Sequence, residues 1–223
     1  MRKRYSLLGW MLVVVFMIGW TSYAYSDEIY DAAQAGDLTR AKALLFKELL
    51  NQNPKLAEAK IEDGGPPLHL AASIGRVDIV ELLLAQGQSA DSRDEAGITP
   101  LHAAAIFGQK DVADLLLAKG AEINARDNKY GLTILHYVVS IGRTDMAVYL
   151  IANGADLNAK ANNGATPLYS AALHGRKDMV ELLVARGAEV NARDNAGISP
   201  LSVASARGFS EVAAVLRQHG AKD

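Results

Sequence analysis

Three histidines, His69, His102 and His136, recur 33 and 34 residues apart, and imidazoles are among the side chains from which zinc and other transition-metal sites are built. Their spacing argues against a metal. Residues recurring at a fixed period stand one packed-helix distance apart, roughly 10 Å, whereas a metal holds its ligands at ~2 Å, so neighbouring copies cannot share one ion. Nucleophilic catalysis fares no better. Ser140, Ser170 and His174 offer suitable side chains, but a triad needs a serine on a strained turn with a base in reach. No G-x-S-x-G, Walker or H-E-x-x-H pattern occurs. The chain has no cysteine, which removes thiol catalysis, disulfides and a lipidated cysteine. The expectation is no catalytic residue, no metal and no cofactor.

The histidines belong to a longer recurring unit. Leu68, Leu101, Leu135, Leu168 and Leu201 follow one another at 33, 34, 33 and 33 residues, each inside a variant of the tetrapeptide Thr99-Pro100-Leu101-His102. A glycine stands seven residues after each leucine (Gly75, Gly108, Gly142, Gly175, Gly208) and another twelve residues further on (Gly87, Gly120, Gly154, Gly187, Gly220). Threonine or serine ahead of proline is a helix start, because the hydroxyl caps free backbone N–H groups and proline at the first helical position loses no hydrogen bond. The first glycine ends that helix in the left-handed conformation. Soon after it comes an acid, Asp78, Asp111, Asp145, Asp178 or Glu211, suited to the positive end of a second helix. The residues between units have turn chemistry.

The unit from Asp94 to Asn124, with Gly97, the Thr99-Pro100-Leu101-His102 box, Ala104-Ala105, Leu115-Leu116-Leu117 and Gly120-Ala121, resembles the ankyrin repeat. The resemblance implies an all-α solenoid of helix-turn-helix repeats with projecting β-hairpin-like loops, in which each unit packs only on its neighbours. Five units are expected at 61–93, 94–126, 127–160, 161–193 and 194–223. A degenerate capping unit at 27–60 precedes them, where Ala32-Ala33-Gln34-Ala35-Gly36 is similar to Ala71-Ala72-Ser73-Ile74-Gly75. In the ankyrin family the histidine of the box hydrogen-bonds the adjoining loop backbone. That role carries to His69, His102 and His136. Tyr169 and Ser202 stand at the matching positions, so their loops must be held some other way. An end unit must face water, and Arg217 answers Leu84, Leu117, Ile151 and Val184 of the other units as an end-cap device.

The first 26 residues read as a secretory signal peptide. Arg2-Lys3-Arg4 precedes the apolar run Leu7 to Trp20, and Ala24-Tyr25-Ser26 places small residues for cleavage ahead of Asp27. The alternative is an uncleaved anchor, since the run approaches the ~20 residues that span a bilayer. Cleavage removes both tryptophans and leaves 20 basic against 25 acidic residues, a balance that disfavours nucleic acid as a ligand. A periplasmic or secreted monomer, with no membrane contact after cleavage, is the expectation.

Partner contact is sought on the surface. Along the first helix of the Asp94 unit, Ala104 and Ala105 fall within about 60° of Leu101, whereas Ile106 and Phe107 fall roughly 120 to 140° away. The resemblance places such positions on a concave face that is commonly polar. Here they include Ile74, Ile106, Phe107, Ile141, Leu173 and His174, joined by Ile98, Leu132 and Ile198 ahead of the boxes. These residues form either an apolar stripe for a partner or a set of local loop-helix contacts. The 127–160 unit is irregular: it has an inserted residue in Asn128-Lys129-Tyr130-Gly131, Ile134 for proline, and the bulkier Tyr137-Val138-Val139 where the preceding unit has Ala103-Ala104-Ala105. Lys129 and Tyr130 are thus a further contact candidate or neutral drift in a loop. The expected function is non-catalytic protein binding through the concave face and loop tips. A scaffold that stabilises an exported enzyme is the alternative, and an enzyme is third.

Overall fold

The structure, a computed structural model, describes residues 67–222 together with Leu44. The chain divides into two compact units, Met1–Leu56 and Ala57–Asp223, and the second holds all the described residues but Leu44. The expected signal peptide at 1–26 lies outside the described residues, as does the capping unit at 27–60 apart from that leucine.

Ten helices make five pairs among the described residues: α1 (Pro67–Ser73) with α2 (Val77–Ala85), α3 (Pro100–Phe107) with α4 (Lys110–Ala118), α5 (Ile134–Ile141) with α6 (Thr144–Ala152), α7 (Pro167–Leu173) with α8 (Lys177–Ala185), and α9 (Pro200–Ala206) with α10 (Ser210–Gln218). Each first helix packs on its own second helix and on the first helices of the neighbouring pairs, which is the connectivity of a helical solenoid. The boxes start the helices as their chemistry dictates. Thr166 and Ser199 accept the N–H of Tyr169 and Ser202 at 3.2 and 3.0 Å, each with proline next in the chain. Gly108 and Gly142 end α3 and α5 with φ of 78° and 82°, the left-handed turn open to glycine. The second helices have no side-chain cap and rely on the acid in their first turn.

The five box leucines are fully buried, and the second helices answer with Val80 and Leu83, Val112 and Leu116, Leu150, Val180 and Leu183, and Val212 and Leu216. Val138 and Val139 occupy alanine positions yet are also fully buried. Their bulk is tolerated because the flanking first helices carry Ala104-Ala105 and Ala171-Ala172 at the equivalent places, so large faces small across both joints. The loops are turns more than hairpins: the isolated antiparallel bridge among the described residues is Arg126 with Thr133, in the lengthened loop. No helix among the described residues is long and apolar enough to cross a membrane.

Leu84, Leu117, Ile151 and Val184 are half-buried, whereas Arg217 is exposed in the last turn of α10, where a cation suits the helix dipole. Arg217→Leu should therefore change the unfolding free energy by no more than about 0.5–1 kcal/mol while promoting self-association, to be read by analytical ultracentrifugation. A large loss of stability without association would mean that this face is covered within the monomer.

Candidate functional site

Hydrogen bonds link the loops of successive units. Asp91, Asn124, Asn158 and Asn191, at repeat spacing, each accept the main-chain N–H of a residue in the following unit: Glu122, Asp156, Glu189 and Lys222, at 2.8 to 2.9 Å. Closer to the loop tips, the N–H groups of Asn128, Asn162 and Asn195 donate to the carbonyls of Ala96, Tyr130 and Asn163, all at 2.8 Å. Arg93 and Arg126 add side-chain bonds to the carbonyls of Arg126 and Lys160, both at 2.6 Å. The surface is thus pre-ordered, which lowers the entropic cost of binding.

Within each loop an aspartate gathers the turn. Asp94 and Asp194 accept the N–H groups two and four residues on, Ala96 and Ile98 in one case, Ala196 and Ile198 in the other. Asp127 has more to hold. Its Oδ1 accepts from Lys129, Tyr130 and Gly131, and its Oδ2 from the N–H of Leu132 and the hydroxyl of Tyr137, both at 3.0 Å. Burial alone would raise the Asp127 pKa, but the bonds from Tyr130, Tyr137, Leu132 and Lys129 outweigh it and hold it below the ordinary carboxylate value. The extra residue of the loop is absorbed here. Ala161 replaces the aspartate in the next unit, and Asn163 compensates by accepting the N–H of Ala165 at 3.1 Å.

The histidines are structural. His69 and His136 bring Nε2 within 2.7 and 3.1 Å of the carbonyls of Ile98 and Ala165 in the next loop, as the resemblance implied. His102 departs from it. The Leu132 carbonyl is close enough to favour its charged form, yet Nε2 finds no partner of hydrogen-bond geometry, and the ring instead packs edge-on with Tyr137 at 5.8 Å between centroids. Tyr137 stands where the preceding unit has Ala103. At the next box, Tyr169 is held by Asp194: burial first, then the carboxylate, raise its pKa. Ser202 bonds Ser199, Oγ to Oγ, at 2.9 Å. Among the described residues no group of three or more His, Cys, Asp or Glu could hold a metal.

Of the side chains proposed for partner contact, Phe107, Lys129, Tyr130, Ile141 and His174 are exposed, whereas Ile74, Ile98, Ile106, Leu132 and Leu173 are half-buried. The large exposed apolar residues among the described ones are Phe107 at 56%, Tyr130 at 54%, Ile141 at 42% and Ile198 at 40%. All four lie at first-helix ends or in the loops. Phe107 and Ile141 end successive packed helices, α3 and α5, at the same repeat position. The Lys129 ammonium lies over the Tyr130 ring at 4.8 Å, pairing the two tip residues. The asparagine row was missed, although its recurrence at 33 and 34 residues was there to find. Tyr149 was missed too. Its hydroxyl donates to Asp114 at 2.6 Å and its ring carries Lys110 at 5.5 Å, a cross-unit contact on the second-helix layer with no trace in the repeat pattern.

A search of curated proteins finds no match. The family model described as ankyrin repeats (three copies) matches residues 29–127 and again 126–194, from within the segment read as a capping unit to Asp194, in the loop ahead of the fifth helix pair. Matched over most of its length, and built of paired helices joined by turn-bonded loops, the chain belongs to the ankyrin-repeat family.

Proposed function

We propose that this non-catalytic ankyrin module acts after export, as a monomer that binds a partner protein through its concave face and loop tips. Ankyrin repeats are in general interaction scaffolds without catalysis of their own, so the site sought is a contact surface. The observation that carries the reading is the pair Phe107 and Ile141, exposed at the same position of successive first helices, together with the exposed Tyr130 of the lengthened loop. Adjacent large apolar side chains left in water across neighbouring units are a feature of partner sites, because isolated exposure needs no explanation but a contiguous patch does.

Tagged full-length protein should retain one partner in stoichiometric amount from the exported fraction, and competition with untagged protein should release it. Retention of nothing above a control solenoid would count against a binding role in that compartment. Export itself rests on Arg2-Lys3-Arg4, the Leu7 to Trp20 run and Ala24-Tyr25-Ser26. Intact mass should then begin at Asp27, and emission should be that of tyrosine alone. Full-length chain with tryptophan emission in the membrane fraction would support the anchor in its place.

A further inference from the structure

We propose that His69, His102 and His136 form an acid-labile seam through the first four helix pairs, which mild acid opens joint by joint while the joint closed by Tyr169 and Asp194 stays shut. The geometry carries this. The three histidines are 5%, 0% and 1% exposed; His69 and His136 bond the loop of the next unit, and His102 packs against Tyr137 of the next unit. Nδ1 of His102 and of His136 accepts the main-chain N–H of Thr99 and Thr133, at 3.2 and 3.1 Å. A proton on that nitrogen turns it into a donor facing a donor. The threonine hydroxyls, 2.9 and 2.8 Å away, can rotate to accept, but the amides cannot. His69 differs in detail: its Nδ1 is buried with no partner, so a proton there would be buried unpaired.

The surroundings do not offset these costs. Asp94 faces His69; Asp127 and Asp94 face His102 against Arg93; Asp127 and Asp156 face His136 against Arg126. Burial outweighs every one of these charges, and it lowers all three pKa values, to about 4 for His102 and His136. Folded pKa values below the unfolded value mean that the opened chain binds more protons between pH 6.5 and about 4. Stability is therefore complete above pH 6.5 and lost as pH falls through that window. Asp127, whose pKa is also lowered, adds a loss in the same direction as pH falls further. At the fourth joint Tyr169, facing Asp194 and Arg207 with its pKa raised, takes up no proton in this range. Because units of a solenoid contact only their neighbours, a joint opens locally.

Three equivalent amides report the joints separately: Asn128 across the second, Asn162 across the third and Asn195 across the fourth. In the full chain, hydrogen-exchange protection of Asn128 and Asn162, corrected for intrinsic rates, should fall about 20-fold between pH 7 and pH 5, with that of Asn195 within about twofold. Tyr169→His should bring Asn195 into the acid-sensitive set. Equal loss at all three amides of the natural chain would overturn the seam, as would no loss at any. So would a Tyr169→His protein with native exchange at pH 7 and an unchanged Asn195 response at pH 5. If that variant fails to fold, the three amides of the natural chain decide alone.

Discussion

Gly164→Ala should destabilise the protein by about 3 kcal/mol and Gly197→Ala by only about 1, although the two glycines share nearly the same backbone conformation, φ +82° and +79°. Left-handed strain is common to both and is worth ~1–2 kcal/mol for an L residue. The difference comes from the joint. A Cβ at 164 would stand 2.8 Å from the main-chain nitrogen of Asn195, an atom already committed to the Asn163 carbonyl at 2.8 Å, so relief requires breaking the loop ladder. At 197, in the last loop, a Cβ would meet nothing within 4 Å. Urea unfolding midpoints of the two variants compare them directly. Equal losses would mean that the loop ladder contributes nothing to the cohesion of the stack.

This contrast marks what a sequence of repeats makes legible. The box leucines, the threonine-proline starts and the glycine ends recur because each solves a problem local to its unit, and the helices begin and end where those residues place them. Features that join one unit to the next are harder to read. Asn163 does for its loop what Asp94 does for another, from a position two residues displaced, and only the positions of Ala161 and Ala165 show the exchange. His102 packs edge-on with Tyr137, at a position where the other units carry Leu70, Ala103, Ser170 and Val203, so no recurring residue type announces that contact. The candidate surface was legible in part: helical geometry alone places Phe107 and Ile141 away from the core, but how far a loop covers Ile98 or Leu132 depends on the path of the turn, which side-chain type does not determine.

The second large effect concerns binding. Phe107→Lys with Ile141→Lys should weaken partner capture about 100-fold or more, because burying each apolar side chain against a partner is worth ~1.5–3 kcal/mol, a ten- to hundred-fold change in affinity apiece. Lysine is chosen because both positions end a helix, where a cation suits the dipole and the fold is spared. Exposed side chains at these two ends contribute little to stability, so helical circular dichroism and the melting midpoint should stay near those of the natural protein. Leu135→Ala reverses the pattern: it empties a fully buried site and should cost about 3–5 kcal/mol.

The most direct test of the proposed surface is the partner's dissociation constant for the Phe107→Lys, Ile141→Lys protein, measured by calorimetry beside its melting midpoint. The account predicts a loss of about 100-fold or more in affinity with a midpoint shifted by less than about 2 °C. Natural affinity in the folded double variant would contradict it and move the search to the Asn128 to Gly131 loop; a collapsed midpoint would place both side chains in the core and remove the stripe.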